Sequence, residues 1–175
     1  MSYFAAAAVR GSHGWSAAEV DLSGVADIDE VADRLRDVDA EAPVSLLFVE
    51  SDDSYLVILR LDEGEDLRVF GSDGAFAEES RLGALLLGDV ETAVPDIEEV
   101  VAAATSGNGS AEPQPPADPD VEPIGDPDLL ADLGLPGPQL LALCTREGLL
   151  PADVTTEVCA AIGAGDAIDQ IRESV

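Results

Sequence analysis

Few side chains in this chain are of the types that commonly carry out chemistry, and none is spaced for a recognisable reaction. The single histidine is His13, in a predicted loop beside Trp15, and the two cysteines, Cys144 and Cys159, lie on neighbouring predicted helices. A zinc site needs more ligands than these. We expect structural free thiols, with a disulfide or redox pair as the alternative. His13 and Trp15 could form a ligand shelf, but an exposed histidine beside a half-buried tryptophan is the commoner arrangement.

Two other stretches resemble functional motifs without the groups that would make them specific. Glu50, Asp52 and Asp53 cluster near a predicted hairpin tip, where aspartate side chains accept hydrogen bonds from nearby backbone amides. We interpret them as a solvated turn. Residues 71–74, with the sequence GSDG, lack the lysine and spacing of a phosphate-binding loop. Because no catalytic constellation is identifiable, we predict that the protein is not an enzyme and has no cofactor.

The charge of the chain is strongly negative. It has 37 aspartate and glutamate residues, eight arginines and no lysine, for a formal net charge of −29. A surface that binds nucleic acid directly needs a cluster of basic residues to neutralise phosphates, and none is present. A negative surface keeps the chain soluble and suits a basic protein partner.

One segment divides the chain into two predicted modules. Residues 105–123 read TSGNGSAEPQPPADPDVEP, with five prolines and one branched apolar residue. This composition cannot bury enough apolar surface to offset the ordering of its backbone, so we predict a disordered acidic linker. The modules are residues 1–104 and residues 124–175.

The first module has the pattern of an α+β domain. Short apolar runs bounded by turn-forming residues predict a mainly antiparallel sheet of about five strands, and apolar spacings of three and four predict helices that cover it. The predicted strands are Tyr3 to Val9, Trp15 to Leu22, Val44 to Val49, Tyr55 to Leu61 and Leu67 to Phe70. One predicted helix begins after a cap at Asp27. Two others cover Ala75 to Leu87 and Ile97 to Ala104.

The second module is predicted to be a small all-α unit of four short helices. Asp126 and Pro127 begin the first, which Gly134 ends; the next two span residues 136–147 and 151–162; and Asp166 caps the fourth. Helices this short need each other or a partner to bury their apolar faces. No apolar run approaches the roughly 20 residues of a membrane-spanning helix, and we expect a cytoplasmic location.

The second module also resembles a known family. Residues 123–135 (PIGDPDLLADLGL), followed by QLLALC at 139–144, Leu150-Pro151 and AIG at 161–163, are similar to the tRNA adenosine deaminase-associated proteins of actinobacteria. The first module matches more loosely, through the strands near Trp15, Val49 and Leu61. The family is named because its genes lie beside one for a tRNA adenosine deaminase. The chain is not that enzyme, since it has neither the H-x-E nor the P-C-x-x-C pattern of zinc deaminases.

This resemblance and the charge together suggest a non-enzymatic accessory or regulatory protein. Its predicted partner is a basic protein, with a tRNA adenosine deaminase as the candidate, and direct binding to nucleic acid or membrane is not expected. The predicted partner-binding residues are Asp126, Asp128, Leu129, Asp132, Leu133 and Leu140. The alternative is a small-ligand or nucleotide sensor with a groove between the sheet and its helices.

Overall fold

The fold was obtained as a computed structural model, which describes residues 3–51, 55–63, 65–87, 123–144 and 150–174. The predicted helix over Ile97 to Ala104 lies outside these residues, as does the predicted linker except for Pro123. Both stay predictions, and so does the division into two domains.

The core of the fold is one antiparallel sheet. Its strands are β1 (Tyr3–Gly11), β2 (Gly14–Glu19), β3 (Val44–Ser51), β4 (Tyr55–Asp62), β5 (Asp66–Gly71) and β6 (Ile124–Gly125). They are arranged in the order β2-β1-β3-β4-β5-β6, and every neighbouring pair is antiparallel. The α+β class is therefore confirmed, with six strands instead of about five. The strand missed by sequence reading, β6, has only two residues and no apolar alternation.

Both faces of the sheet are covered, which accounts for the nearly continuous apolar run of β4. Alternate side chains point to opposite faces, so Ile58 and Leu59 belong to different cores although both are fully buried. The first face packs against Val31 and Leu35 of α1 (Ile28–Val38) and against two short helices, α2 (Ala75–Glu79) and α3 (Arg81–Leu87). The second face packs against the C-terminal helices.

The helices on the first face follow their sequence signals closely, with one difference. Asp27 caps α1 and accepts a hydrogen bond from the Glu30 backbone N–H at 2.9 Å. The single helix predicted over Ala75 to Leu87 is instead two helices, because Ser80 has an extended backbone between them. At Gly83 an added Cβ would lie 2.0 Å from the Phe76 carbonyl oxygen, so glycine permits the close turn of α3 against α2.

The C-terminal segment contains four short helices, as predicted. They are a 3-10 helix (Pro127–Leu133), α4 (Gly137–Cys144), α5 (Pro151–Ile162) and α6 (Gly165–Ser174). Asp126 caps the first, and Gly134 and Gly163 end their helices in the left-handed conformation. The predicted cap at Asp166 is wrong, because α6 begins at Gly165 and Asp166 lies inside its first turn.

These helices form one core with the sheet. Leu130, Val158 and Ile168 belong to the same buried cluster as Leu46 and Ile58 of the sheet. Burying a side chain of this kind contributes about 1.5–3 kcal/mol. The apolar stripes of the four helices are thus covered within the chain itself.

The described chain ends α3 at Leu87 and rejoins the sheet at Ile124, and both residues lie beside Gly71. Ile124 pairs with Gly71 in the sheet. A Cβ placed at Gly71 would come within 2.9 Å of the Leu87 side chain and 3.5 Å of the Ile124 side chain. Leu87 and Ile124 are therefore close in space, so even a short segment between them could join the two parts of the fold.

This proximity makes the length of the linker unimportant for stability. Replacing residues 105–122 with about four Gly/Ser residues should change the free energy of unfolding by less than about 0.5 kcal/mol, the expected loop-closure term. Urea denaturation followed by circular dichroism measures this change against the full chain. A loss of several kcal/mol would instead show that the replaced residues contribute packing to the fold.

Candidate functional site

The residues singled out for chemistry do not come together in the structure. Within the described ranges, no group of three or more His, Cys, Asp or Glu side chains is placed to hold a metal ion. His13 is exposed in the β1–β2 turn and Trp15 is half-buried, as predicted. Cys144 and Cys159 are both free, and burial raises the pKa of each thiol to about 12. They are structural thiols, as expected from the sequence.

Glu50 corrects one expectation, because it is not part of a solvated turn. It lies near the end of β3, only 8% exposed, and its Oε2 accepts a hydrogen bond from Nη2 of Arg172 at 2.7 Å. The same guanidinium lies over the ring of Phe4, 5.5 Å from its centroid, within the range of a cation–π contact. This group attaches α6 to the sheet; Asp52 and Asp53 lie outside the described residues.

A second and larger polar group attaches the 3-10 helix to the sheet. Arg60 follows Leu56 and Ile58 on the second face of β4 and is 3% exposed. Its guanidinium donates to the Leu129 carbonyl oxygen and to both carboxylate oxygens of Asp132, with Nη2 to Oδ2 at 2.8 Å. Nε donates to Asp62 Oδ1 at 2.9 Å. The partners that a buried cation requires therefore come from both parts of the fold.

Arg68 extends this group along the sheet. Its Nη2 donates to Asp62 Oδ2 at 2.9 Å, and its Nη1 is 3.6 Å from Asp126 Oδ2. The hydrogen bond from Arg60 lowers the pKa of Asp132, and the hydrogen bond to Asp132 raises the pKa of Arg60. Both groups therefore stay charged at neutral pH. Sequence reading missed Arg60, although a lone arginine in an apolar strand is a signal for a buried ion pair.

The six predicted partner-binding residues divide into core and surface positions. Leu129 and Leu140 are fully buried in the core, and Leu133 is partly buried against it. These leucines hold the helices on the sheet, so their side chains are not open to a partner in this structure.

The three acidic members of that set are on the surface with different roles. Asp126 caps the 3-10 helix through the Asp128 backbone N–H at 2.9 Å, and Asp132 pairs with Arg60. Asp128 is exposed at the start of the 3-10 helix. Its partner-binding role stays a prediction.

An apolar groove lies on the first face of the fold, away from these ion pairs. It is lined by Leu22 and Val25 from the loop before α1, by Leu82 and Leu85 from α3, and by Tyr3 and Arg81 at its margin. The groove has a volume of about 320 Å³. Its walls supply mainly apolar surface.

Fold and site together define an acidic α+β protein whose described residues include buried ion pairs and an apolar groove. A family model described as Rv3753c-like tRNA adenosine deaminase-associated protein matches residues 3–165, and the chain belongs to that family. This agrees with the resemblance seen in the sequence. No curated protein and no solved structure matches the chain. In the described parts of the chain, no helix has the length and apolar character needed to cross a bilayer.

The raised thiol pKa values predict unreactive cysteines. At pH 8 only a very small fraction of each thiol is ionised, and the thiolate is the nucleophile. We expect the native protein to react with a thiol-specific reagent far more slowly than the denatured protein, in which both thiols titrate. Fast labelling of Cys159 in the native state would contradict its burial.

The Arg60–Asp132 pair predicts a stability effect that depends on pH. Asp132→Ala leaves a buried cation short of a partner and should lower the free energy of unfolding by about 1.5 kcal/mol at pH 7, a value discounted because the Asp132 carboxylate is partly hydrated. Asp169→Ala, an exposed acidic position on α6, serves as the matched control with an effect near zero.

The sign of the pH dependence follows from the lowered pKa of Asp132. The ion pair contributes stability above the unfolded-state pKa of about 3.9, and this contribution is lost as the pH falls through the folded-state value. The difference between wild type and Asp132→Ala, measured by urea denaturation, should therefore shrink from pH 7 to pH 3. A constant difference would show that packing, and not charge, is lost in the variant.

Proposed function

We propose that this protein is a non-enzymatic accessory protein that binds a basic surface of a tRNA adenosine deaminase. The family description supplies the candidate partner. The main support from the structure is how the arginines are used. Arg60, Arg68 and Arg172 pair with carboxylates at the junctions of the fold. Their positive charges are therefore neutralised by carboxylates of the same chain.

The two arginines of α1 also have partners within the chain. Arg34 donates to the backbone carbonyl oxygens of Asp21 and Ser23, and Arg36 pairs with Asp33. On the helices that cover the two faces of the sheet, exposed carboxylates outnumber the arginines. They include Asp29, Asp33 and Asp37 on α1, Asp153 and Glu157 on α5, and Asp166, Asp169 and Glu173 on α6. This surface favours a basic protein and repels phosphate.

The partner has a chemical reason to be basic. An enzyme that acts on tRNA must attract a polyanion, and its binding face is therefore expected to carry lysine and arginine. A protein with a net charge of −29 is attracted to the same face. Docking there would place it in competition with tRNA and make it a regulator of access to the enzyme.

The charge argument predicts a complex that depends on salt. The purified protein and the tRNA adenosine deaminase of the same organism should associate at about 50 mM salt, and the affinity should fall steeply as the ionic strength shortens the Debye length. Isothermal titration calorimetry at several salt concentrations measures this dependence. Added tRNA should displace the protein from the enzyme.

Two results would count against the proposal. The absence of binding at about 50 mM salt would show that the tRNA adenosine deaminase is not the partner. Binding that does not change with salt concentration or added tRNA would confirm the deaminase as the partner. It would exclude a charge-driven contact with the tRNA-binding surface of the enzyme.

A further inference from the structure

The apolar groove between the loop before α1 and α3 is left uncovered by the residues that the structure describes. We propose that it receives an apolar side chain from a basic segment of the partner protein, with the carboxylates around it contacting the flanking lysine or arginine side chains. This inference rests on the proposed function and assigns it a docking site. It differs from the sequence-based expectation, which placed the contact at residues 124–175.

The groove walls are apolar and held in place. Leu22 and Val25 are buried on the loop side, while Leu82 and Leu85 are half-buried on α3. Tyr3 is 36% exposed, which makes it one of two large hydrophobic side chains that are exposed in the described residues. Its hydroxyl accepts a hydrogen bond from the Leu22 backbone N–H at 3.0 Å and donates to Asp21 Oδ1 at 3.3 Å. The wall is therefore preformed, which lowers the entropic cost of binding.

Three carboxylates are fixed next to residues that line the groove. Asp21 contacts the Tyr3 hydroxyl and also accepts from the Ser23 backbone N–H at 2.8 Å. Glu30 Oε2 accepts from the Ala26 backbone N–H at 2.6 Å. Glu79 directly precedes Ser80, another lining residue, and accepts from the Tyr55 hydroxyl. Arg81 lines the groove, and Arg34 donates to the Asp21 and Ser23 carbonyl oxygens beside it. With three carboxylates and two cations, the margin is negative on balance.

The size and charge of the groove favour a protein segment over a nucleotide. A volume of about 320 Å³ is near the lower end of the range of roughly 300–1,000 Å³ for sites that enclose drug-sized ligands. A phosphate group would meet the repulsion of the nearby carboxylates. An apolar side chain flanked by lysine or arginine gains both apolar burial in the groove and favourable charge contacts at its margin.

The test separates apolar insertion from general charge attraction. Leu85→Glu blocks the groove but adds a negative charge, so attraction to a basic partner alone would be unchanged or stronger. We expect the affinity for the deaminase to fall on the order of tenfold or more, the effect of losing a buried apolar side chain. Ala142→Glu on α4 adds the same charge at an exposed position elsewhere and should not weaken binding. Thermal melting establishes that each variant is folded.

A second pair of variants tests the margin without altering the groove floor. Arg81→Glu should strengthen binding several-fold, because it removes the cation nearest the basic segment. Arg10→Glu is the matched charge reversal, at an exposed position at the opposite end of β1 from Tyr3. Equal effects of the two reversals would overturn the proposal, as would unchanged affinity of a folded Leu85→Glu protein. In both cases salt-dependent binding by the wild type would leave the proposed function standing.

Cross-linking identifies the occupant directly. With a photo-reactive amino acid in place of Leu82, irradiation of the complex should give a cross-link to the deaminase at an apolar residue next to lysine or arginine. A cross-link within the chain itself would overturn the proposal. So would a nucleotide or nucleoside that raises the melting temperature of the wild type but not of Leu85→Glu, because the groove would then be the site of a small-ligand sensor.

Discussion

The buried guanidinium of Arg60 is the constraint on which the two parts of this fold depend. An arginine within an apolar strand has to be surrounded by acceptors, because an unpaired charge in the interior is strongly destabilising. Asp62 supplies one acceptor from its own strand, but Leu129 and Asp132 lie on the 3-10 helix. The sheet face that carries Arg60 is therefore complete only when the C-terminal helices are docked on it.

Arg172 repeats this arrangement at another position on the same sheet. It projects from the last helix to Glu50 on β3 and lies over Phe4 on β1. Apolar packing between helices and sheet tolerates small shifts in register, whereas a hydrogen-bonded ion pair requires a defined geometry. The two ion pairs thus determine how the helices sit on the sheet, and the leucines around them supply most of the burial energy.

The same use of arginine shapes the outer surface. A chain with eight arginines and 37 acidic residues places several of its cations in contacts that tie its own elements together. The exposed helix faces are consequently acidic, so the fold as well as the composition supports the basic partner that we propose. In the complex that we propose, the apolar groove would add affinity, since electrostatic attraction contributes to the rate of encounter and to specificity more than to affinity.

Much of the fold could be predicted from local sequence patterns. The five longer strands, the Asp27 cap, and the ends of helices at Gly134 and Gly163 were found because each depends on neighbouring residues. The two-residue strand β6 and the break at Ser80 were missed, because each is determined by contacts with distant parts of the chain. The predicted partner-binding residues divide between surface and core. The acidic ones are on the surface, but Leu129 and Leu140 face the sheet. An apolar helix stripe looks the same in sequence whether its own chain or a partner covers it.

By itself, the sequence determined the class of fold, the anionic character and the family, because these depend on composition, local periodicity and motif. Only the tertiary structure decided that the C-terminal helices cover the second face of the sheet, that Arg60 and Glu50 are buried in ion pairs, and that the described residues leave an apolar groove beside α3 uncovered. These features join residues far apart in the chain. Their energies come from packing and charge pairing, which local sequence patterns do not encode.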